Sequence, residues 1–317
     1  MSVIDEANRL ASAGRRADAV ALVSDAAAND DPEALFALAN WRLFGLFVAR
    51  DLNAAHGLLD RATALGYVDA IRTKAILIGN GTGCVADLVR ATDLLGTIRA
   101  GDPHAALQLE FLPRMRSDVE FDGDRIEVLS DAPSVRIHRK LLTAEECSYL
   151  AGMSEAQLQP SFVTNPTTGA RMPHPIRTSM GMSFGPTLED LVVRRINLRI
   201  AAASRTDVGC GEPLHILRYT PGQEYRPHTD SVAGDPNPRA MTMLIYLNDG
   251  YEGGATQFPR AGLDVRGGVG DALIFCNVDA AGRPDPASLH AGLPIITGVK
   301  WLATRWIRAR PYHPWQI

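Results

Sequence analysis

The sequence lacks several features that define whole classes of proteins. No stretch of about eighteen consecutive apolar residues occurs among its 317 residues, so we expect no membrane-spanning helix. The first residues, MSVIDEANRL, lack the basic and apolar segments of a secretory signal. Lysine and arginine number 32 against 36 aspartates and glutamates, and the net charge of -4 argues against a nucleic-acid-binding surface. We therefore expect a cytoplasmic protein that binds neither membranes nor nucleic acids.

The sequence is also poor in cysteine. Its four cysteines are Cys84, Cys147, Cys210 and Cys276. They are widely separated and form no CxxC pair, which predicts free thiols in a reducing compartment. Hydrophobic residues make up 46% of the chain and charged residues 21%, so a sizeable core can form. The length fits one large domain or two ordinary ones.

The chain up to about residue 113 carries alanine and leucine at helical spacing. The pattern repeats with a period of about 35–36 residues, which is the range of helix-turn-helix repeats. The recurring positions are Ala19, Leu22, Val23 and Ala26, matched by Ala55, Leu58, Leu59 and Ala62. This segment resembles the tetratricopeptide-like short-repeat families, with roughly three units. The alternative is a plain helical bundle.

Helical patterning ends near Pro113, and the chain turns polar up to Asp124. We place a linker there and predict a helical-repeat domain at 1–115 and a second domain at 116–317. In the second domain, short β-type runs are bounded by Gly, Pro, Asn and Asp, as in antiparallel all-β domains. These runs lie at 135–138, 215–219, 241–247, 272–276 and 301–307. We predict two interrupting helices, one at 143–153 with a capping box at its start and one at 188–205.

His228, Asp230 and His290 are the candidate metal ligands. Residues two apart on a strand point to the same face, so His228 and Asp230 can reach one metal ion. Two imidazoles and one carboxylate can bind Fe(II) and leave positions open for a cosubstrate and O2. His-x-Asp taken alone is weak evidence, because most such pairs are surface residues.

Lys300 follows His290 by ten residues and lies among apolar neighbours in Gly-Val-Lys-Trp-Leu. A buried ammonium group without a partner is costly, so this lysine requires an anion. The alternative is a lysine whose head group reaches the surface from a strand. Arg305 and Arg308 in the same run are interpreted as ordinary outward-facing charges.

The stretch from about Pro133 to Pro311 resembles the prolyl 4-hydroxylase family of Fe(II)/2-oxoglutarate oxygenases. The matching segments are 217–230, 242–249, 252–259, 270–275, 288–292 and 298–301. The resemblance implies that His228, Asp230 and His290 hold the iron, with no catalytic residue beyond these ligands. It implies that Lys300 pairs with the distal carboxylate of 2-oxoglutarate and that Tyr219 and Thr256 help to hold it. The alternatives are an aromatic packing residue at Tyr219 and a β-forming residue at Thr256.

The same resemblance implies that Tyr225, Arg239 and Trp306 bind the substrate. Trp306 can also be a core residue, and Arg239, in a turn-rich loop, can be simply solvated. The segment 164–177 contains three prolines and a glycine, and the resemblance implies a mobile loop that folds over a peptide. The alternative is an ordinary variable connection.

Together these observations predict an α+β protein. An N-terminal α-helical repeat segment is expected to precede a double-stranded β-helix (jelly-roll) oxygenase domain with supporting helices. The expected reaction is hydroxylation of a prolyl residue in a peptide or protein, with Fe(II), 2-oxoglutarate and O2 as cofactors and ascorbate as a candidate reductant. The helical repeats would recruit this partner. The alternatives are hydroxylation of another side chain, of a free amino acid or of a peptide natural product, and an inactive oxygenase-fold scaffold.

Overall fold

The computed structural model describes residues 2–115, 125–164, 171–173, 175–231 and 234–315. The chain forms two compact units. The first comprises Met1–Met115 with Pro186–Arg194 and Trp315, and the second comprises Arg116–Gly185 and Arg195–Pro314. The predicted domain boundary after residue 115 stays a prediction, and most of the predicted linker lies outside the described residues. Within the described ranges, no helix combines the length and apolarity needed to cross a membrane.

Seven helices span the N-terminal part of the first unit. They are α1 (Val3–Ser12), α2 (Arg16–Ala28), α3 (Pro32–Phe44), α4 (Leu52–Ala64), α5 (Val68–Asn80), α6 (Leu88–Gly96) and α7 (Pro103–Phe111). Aspartate side chains cap the starts of four of them. Each accepts the backbone N–H of the residue three positions further along the chain. These caps are Asp31, Asp51, Asp87 and Asp102. Helices α3 and α5 end at Gly45 and Gly81, whose left-handed backbone (φ 68° and 72°) favours glycine.

The repeated alanines lie at the contacts between these helices. Ala19, Ala55 and Ala91 recur every 36 residues, and all three are fully buried. Ala34, Ala70 and Ala105 form a second recurring set and are also fully buried. Because alanine has a single side-chain carbon, it allows helices to pack closely at these points. The helical region therefore carries the periodic packing that the sequence predicts.

The second unit contains the β-strands. They are β1 (Ile126–Asp131), β2 (Ser134–His138), β3 (Gln159–Pro160), β4 (Phe162–Thr164), β5 (Arg171–Pro173), β6 (Met180–Ser183), β7 (His215–Tyr219), β8 (Tyr225–His228), β9 (Arg239–Tyr246), β10 (Tyr251–Gly253), β11 (Thr256–Phe258), β12 (Leu263–Val265), β13 (Ala272–Cys276), β14 (His290–Gly292), β15 (Ile295–Gly298) and β16 (Lys300–Arg308). An eight-stranded sheet has the order β1-β2-β13-β9-β16-β7-β6-β3, and a four-stranded sheet has the order β12-β11-β14-β8. All their pairings are antiparallel. The predicted α+β fold with a double-stranded β-helix is confirmed.

Two further helices accompany the strands. Helix α8 (Ala144–Glu155) opens with the predicted capping box between Thr143 and Glu146. Helix α9 (Leu191–Ser204) begins three residues later than predicted, because the Asp190 carboxylate accepts the backbone N–H of Val193 and sets the helix start there.

The β-sheet core is apolar except at one end. Large side chains fill it, among them the fully buried Tyr246, Phe258 and Phe275. Strand residues two apart share a face, so Leu302 of β16 enters this core between Lys300 and Thr304. These two polar residues mark the end of the core where the candidate site lies.

Candidate active site

His228, Asp230 and His290 come together at the edge of the four-stranded sheet. His228 ends β8 and is directly opposite His290 at the start of β14. The Asp230 carboxylate lies 3.6 Å from Nε2 of His228 and 3.7 Å from Nε2 of His290. One donor atom from each residue lies within 4.8 Å of the other two, which is close enough to hold a single metal ion. The structure therefore assembles the three predicted ligands.

Hydrogen bonds fix the orientation of both imidazoles. Nδ1 of His228 lies 2.9 Å from the carbonyl oxygen of Arg226, and Nδ1 of His290 lies 2.9 Å from that of Ser288. A carbonyl oxygen only accepts, so each Nδ1 carries the proton and each Nε2 keeps its lone pair. Burial lowers the pKa of His228 to about 4, with His290 as a further cause, so the neutral ring is favoured. Neutral imidazoles of this tautomer are the form that binds a metal through Nε2.

Asp230 is ionised and buried. Burial by itself raises a carboxyl pKa, but His290, His228 and the Thr242 hydroxyl outweigh it, so the pKa of Asp230 lies below its ordinary value. The Thr242 hydroxyl donates to Oδ2 of Asp230 over 2.5 Å. Oδ2 thus accepts the Thr242 hydroxyl and also lies near Nε2 of His290, whereas Oδ1 lies near Nε2 of His228.

Lys300 is buried, with an exposed fraction of 3%. Its ammonium group donates to the carbonyl oxygen of Gly254 over 2.7 Å, and in the described parts of the chain no carboxylate pairs with it. Burial lowers the pKa of Lys300 to about 7, with Arg266 as a lesser cause. The sequence-based alternative, a lysine reaching the surface, is wrong, because the head group points into a cavity. An anion entering this cavity would relieve the cost of the buried charge.

The cavity connects the metal ligands to Lys300. Its lining includes Leu217, Tyr219, Leu244, Thr256, Ile295, Leu302, Thr304 and Trp306. Tyr219 of β7 is directly opposite Lys300 of β16. Thr256 is buried with its hydroxyl 3.1 Å from the Tyr246 hydroxyl. The structure thus places Tyr219 and Thr256 in the same cavity as Lys300, among mainly apolar side chains.

The candidate substrate residues lie around the metal ligands. The Tyr225 ring stacks on His228 at 3.5 Å between centroids, and the Arg177 guanidinium lies 5.3 Å from the Tyr225 centroid. Trp306 lines the cavity, and the Arg239 guanidinium lies 4.0 Å from the centre of its ring. Arg239 therefore packs on the ring of Trp306, which forms part of the cavity wall. It does not project freely into solvent.

Glu212 holds Arg239 in place. Its two carboxylate oxygens accept from Nε and Nη2 of Arg239 over 2.7 and 2.8 Å, and Oε1 also accepts from Arg308. The interpretation of Arg308 as an outward-facing charge is therefore wrong, and so is that of Arg305. Arg305 is 4% exposed and donates to the carbonyl oxygen of Val208.

Two threonines of the site were not found from the sequence. Thr242 contacts Asp230, and Thr304 lines the cavity with a hydroxyl that is buried and without a hydrogen-bond partner in the described structure. Thr304 lies four residues after Lys300 on one strand, so strand alternation could have placed both on one face. Of the predicted 164–177 loop, residues 165–170 and 174 lie outside the described residues.

The donor set fits Fe(II). Two neutral imidazole nitrogens and one carboxylate on one side of a metal ion are typical of non-haem Fe(II) oxygenases, which keep the remaining positions open. The buried Lys300 ammonium, which has no carboxylate partner in the described structure, fits a carboxylate group bound in the cavity that the metal ligands also line.

Comparison with known proteins agrees with this geometry. The sequence profile of the 2OG-Fe(II) oxygenase superfamily matches residues 214–308. Prolyl 4-hydroxylase 1 of Arabidopsis thaliana is 36% identical over 203 residues, covering 58% of this chain and 72% of the relative. Prolyl 4-hydroxylase 5 of the same plant is 34% identical over 220 residues, covering 62% of this chain and 75% of the relative.

A likeness to solved structures was also found. The viral collagen prolyl hydroxylase of Paramecium Bursaria Chlorella virus-1, in complex with 2-oxoglutarate, matches with a TM-score of 0.46 and 26% identity. The match covers 57% of this chain and 99% of the viral chain.

Proposed function

We propose that this chain, which belongs to the prolyl 4-hydroxylase family of 2OG-Fe(II) oxygenases, hydroxylates a prolyl residue of a peptide or protein. Fe(II), 2-oxoglutarate and O2 are its cofactors, and ascorbate is the proposed reductant. The observation that carries the proposal is the His228–Asp230–His290 group, whose two imidazoles are held in the metal-binding tautomer beside a cavity that ends at buried Lys300.

Each ligand is assigned a defined role. His228 and His290 would bind Fe(II) through Nε2, and Asp230 would bind it through its carboxylate. With Fe(II) and 2-oxoglutarate bound, the site supplies a hydroxylation in which one atom of O2 enters the substrate as hydroxyl and the other enters succinate, with release of CO2. The side chains Phe258 and Phe275, packed around His290, exclude water from this side of the site.

Lys300 is the proposed anchor for the distal carboxylate of 2-oxoglutarate. An ammonium group in a buried cavity pairs strongly with a carboxylate, because few water molecules compete. The hydroxyls of Tyr219 and Thr256 line the same cavity and would donate hydrogen bonds to this carboxylate. The apolar side chains Leu217, Leu244 and Leu302 would enclose the methylene carbons between the two ends of the cosubstrate.

Tyr225, Arg239 and Trp306 are the proposed substrate contacts. Tyr225 stacks on the proposed iron ligand His228 and Trp306 lines the cavity, so a prolyl ring that approaches the metal would meet both rings. An aromatic face suits a proline ring, which offers C–H groups and no N–H. Arg239 would act on the substrate and would also hold Trp306 in its orientation.

An assay with matched peptides tests this function. Purified protein with Fe(II), 2-oxoglutarate and ascorbate is mixed with a proline-containing peptide or with the same peptide carrying alanine in place of proline. We expect a mass gain of one oxygen atom on proline, with an equal amount of succinate, only for the first peptide. Oxidation of another residue, or of a free amino acid, would replace the prolyl assignment. Absence of any substrate-dependent succinate would support the inactive scaffold.

We further propose that the helical repeats recruit the substrate protein. Large apolar side chains are exposed in the loops and helix starts of successive repeats, including Phe47, Val85 and Val89. The double substitution Phe47→Glu/Val85→Glu should raise KM for a protein substrate while leaving KM for a short peptide unchanged. Val128→Glu, at an exposed position of β1, serves as the control. Equal effects of both variants on both substrates would contradict recruitment.

The compartment and the domain division remain part of this proposal. All four cysteines are free, which supports a reducing, cytoplasmic location, and cell fractionation tests it. We propose that the helical-repeat domain corresponds to 1–115 and the oxygenase domain to 116–317. Limited proteolysis should cut first between residues 115 and 125 if that division is right, and a first cut elsewhere would contradict it.

A further inference from the structure

Two buried polar residues behind the metal ligands have no part in the roles assigned so far. Thr242 lies on β9 and Asn277 follows β13, and both are fully buried. The Thr242 hydroxyl lies 2.5 Å from Oδ2 of Asp230, and Nδ2 of Asn277 lies 2.8 Å from that same hydroxyl. Burying polar groups is costly unless they are hydrogen-bonded, so this chain of three residues calls for an explanation.

The chemistry of the two ends sets the direction of the hydrogen bonds. The Asn277 NH2 group only donates, and the ionised Asp230 carboxylate only accepts. The Asn277 donor therefore occupies a lone pair of the Thr242 oxygen, and the hydroxyl proton points at Asp230. With the amide reversed, two acceptors would compete for one hydroxyl proton. Hydrogen bonds running from Asn277 to Thr242 to Asp230 satisfy the Thr242 hydroxyl and Oδ2 of Asp230, while Oδ1 of Asn277 has no hydrogen-bond partner in the described structure.

The backbone holds Asn277 in place. Its N–H donates to the carbonyl oxygen of Ala240 over 2.8 Å, and its own carbonyl accepts the N–H of Asp285 over 2.9 Å. The residue is thus tied to the start of β9 and to the segment that leads to His290. Thr242 is itself fixed in β9, opposite Trp306 of β16 and Phe275 of β13. Neither side chain needs to reorganise to keep its hydrogen bond.

We infer that Thr242 and Asn277 are positioning residues that hold Asp230 as a ligand through a single oxygen. Oδ2 accepts the Thr242 hydroxyl and lies 3.7 Å from Nε2 of His290, whereas Oδ1 lies 3.6 Å from Nε2 of His228, so a metal held through Oδ1 would leave the Thr242 hydrogen bond intact. A carboxylate that binds through one oxygen keeps one more metal position open than a carboxylate that binds through both. The proposed reaction requires those open positions for 2-oxoglutarate and O2. This inference rests on the proposed function, because it assigns a role relative to the proposed iron site.

The test compares the metal affinity of isosteric variants. Thr242→Val removes the hydroxyl at nearly constant volume, Thr242→Ser keeps it, and Asn277→Leu removes only the distal donor. Thr73→Val, at a buried threonine of α5, is the matched control. The full-length protein is titrated with Co(II), whose visible spectrum reports both affinity and ligand geometry, and the unfolding temperature of each variant is measured in parallel.

Outer hydrogen-bond partners of metal ligands typically change metal affinity by about 10–100-fold. We therefore expect Thr242→Val to raise the Co(II) Kd at least about tenfold and to change the Co(II) spectrum, with a smaller rise for Asn277→Leu. Thr242→Ser should keep the Co(II) Kd and the Co(II) spectrum of the unchanged protein. The unfolding temperature of Thr242→Val should fall no more than that of Thr73→Val. If Thr242→Val fails to fold, a rise in Kd for Asn277→Leu with an altered spectrum supports the inference.

Two outcomes would overturn it. One is a Thr242→Val protein with the Co(II) Kd and spectrum of the unchanged protein. The other is a Thr242→Ser protein that binds Co(II) as weakly as Thr242→Val does. An unchanged protein that binds neither Co(II) nor Fe(II) would contradict the proposed function itself. That result is distinguishable from failure of the Thr242 and Asn277 roles, because it would be seen with the unchanged protein, before any substitution is made.

Discussion

His228 and His290 are directly opposite each other across β8 and β14, and their ring centroids are 4.2 Å apart. Each donates its Nδ1–H to a carbonyl oxygen two residues earlier in the chain. The same local arrangement thus occurs twice, once on each neighbouring strand. These two hydrogen bonds orient both imidazoles so that each Nε2 faces the metal site. The backbone around β8 and β14 therefore sets the geometry of the two histidine ligands.

Removal of one imidazole should abolish tight metal binding. For His228→Ala we expect the Fe(II) Kd to rise by more than about 100-fold, beyond the range for residues that only support a ligand. Anaerobic titration with Fe(II) measures it. His313→Ala, at an exposed histidine, is the control and should leave the Kd unchanged. Unchanged Fe(II) affinity in His228→Ala would refute the ligand assignment.

Removal of the buried ammonium should affect the cosubstrate far more than the metal. Lys300→Ala is expected to raise KM for 2-oxoglutarate by at least about tenfold, because a charge-assisted hydrogen bond contributes about 1.5–3 kcal/mol. The Fe(II) requirement should change less than about twofold. Steady-state kinetics at varied cosubstrate and varied iron separate the two effects. Lys140→Ala, at an exposed lysine, should change neither value. Equal changes in both requirements for Lys300→Ala would show that this lysine is not the anchor.

The affinity for 2-oxoglutarate should depend on pH through Lys300. Its pKa is lowered by burial to about 7, so the ammonium form that pairs with a carboxylate is lost as the pH rises above that value. In metal-saturated protein, the cosubstrate Kd should be lowest below pH 7. Above it, the Kd should rise towards tenfold per pH unit. Calorimetric titrations across this range measure it. Lys300→Met should bind weakly with a flat profile, and an equally steep profile in Lys300→Met would contradict the assignment.

The buried ion pair between Glu146 of α8 and Arg199 of α9 should make a large contribution to the free energy of unfolding. Nη1 of Arg199 donates to Oε2 of Glu146 over 2.6 Å, and both side chains are almost fully buried. Arg199→Met leaves the carboxylate unpaired and should lower the free energy of unfolding by about 3–5 kcal/mol. Urea denaturation measures the loss. The double variant Glu146→Gln/Arg199→Met, which removes both charges and keeps an acceptor for the Thr143 N–H, should recover most of it, and a loss below about 1 kcal/mol in the single variant would contradict the assigned role.

Loss of Arg239 should weaken peptide binding selectively. The side chain is held by Glu212 and covers the Trp306 ring, so Arg239→Ala removes a charge and releases an aromatic wall of the cavity. We expect KM for a peptide substrate to rise by about tenfold or more, a loss of roughly 1.4 kcal/mol of binding. Decarboxylation of 2-oxoglutarate without peptide should be unchanged. Arg283→Ala, at an exposed arginine, is the control, and a parallel loss of both activities would contradict the substrate role.

Elements with a full periodic pattern were predictable from the sequence. Strands β7 and β13 lie where the β-type runs predicted them, and α8 begins at its capping box. The strands β10, β11, β12 and β14 have only three residues each, which is too short for a recognisable alternation. Strands β10, β11 and β14 also pair with strands that are distant in the chain, and no local sequence pattern indicates such pairings.

The site was predictable where residue type alone carries chemistry. His228, Asp230, His290 and Lys300 belong to this class. Thr242 does not, because a threonine in a strand is already explained by its β propensity, and its contact with Asp230 depends on tertiary packing.

The interpretation of Arg305 and Arg308 as outward-facing charges was wrong for a related reason. Arg305 faces away from the cavity, but that side of β16 is also covered. A bulge between Ile307 and Arg308 shifts the register at the end of the strand, where Arg308 meets Glu212.

The most direct test of the central claim is mass spectrometry of peptide products formed under heavy-isotope O2. Active protein and an Asp230→Ala variant are each supplied with Fe(II), 2-oxoglutarate, ascorbate and a proline-containing substrate. The account predicts one heavy oxygen atom in hydroxyproline and one in succinate, in equal amounts, with the active protein alone. Hydroxyproline formed equally by Asp230→Ala, or succinate formed without any oxidised proline, would contradict it.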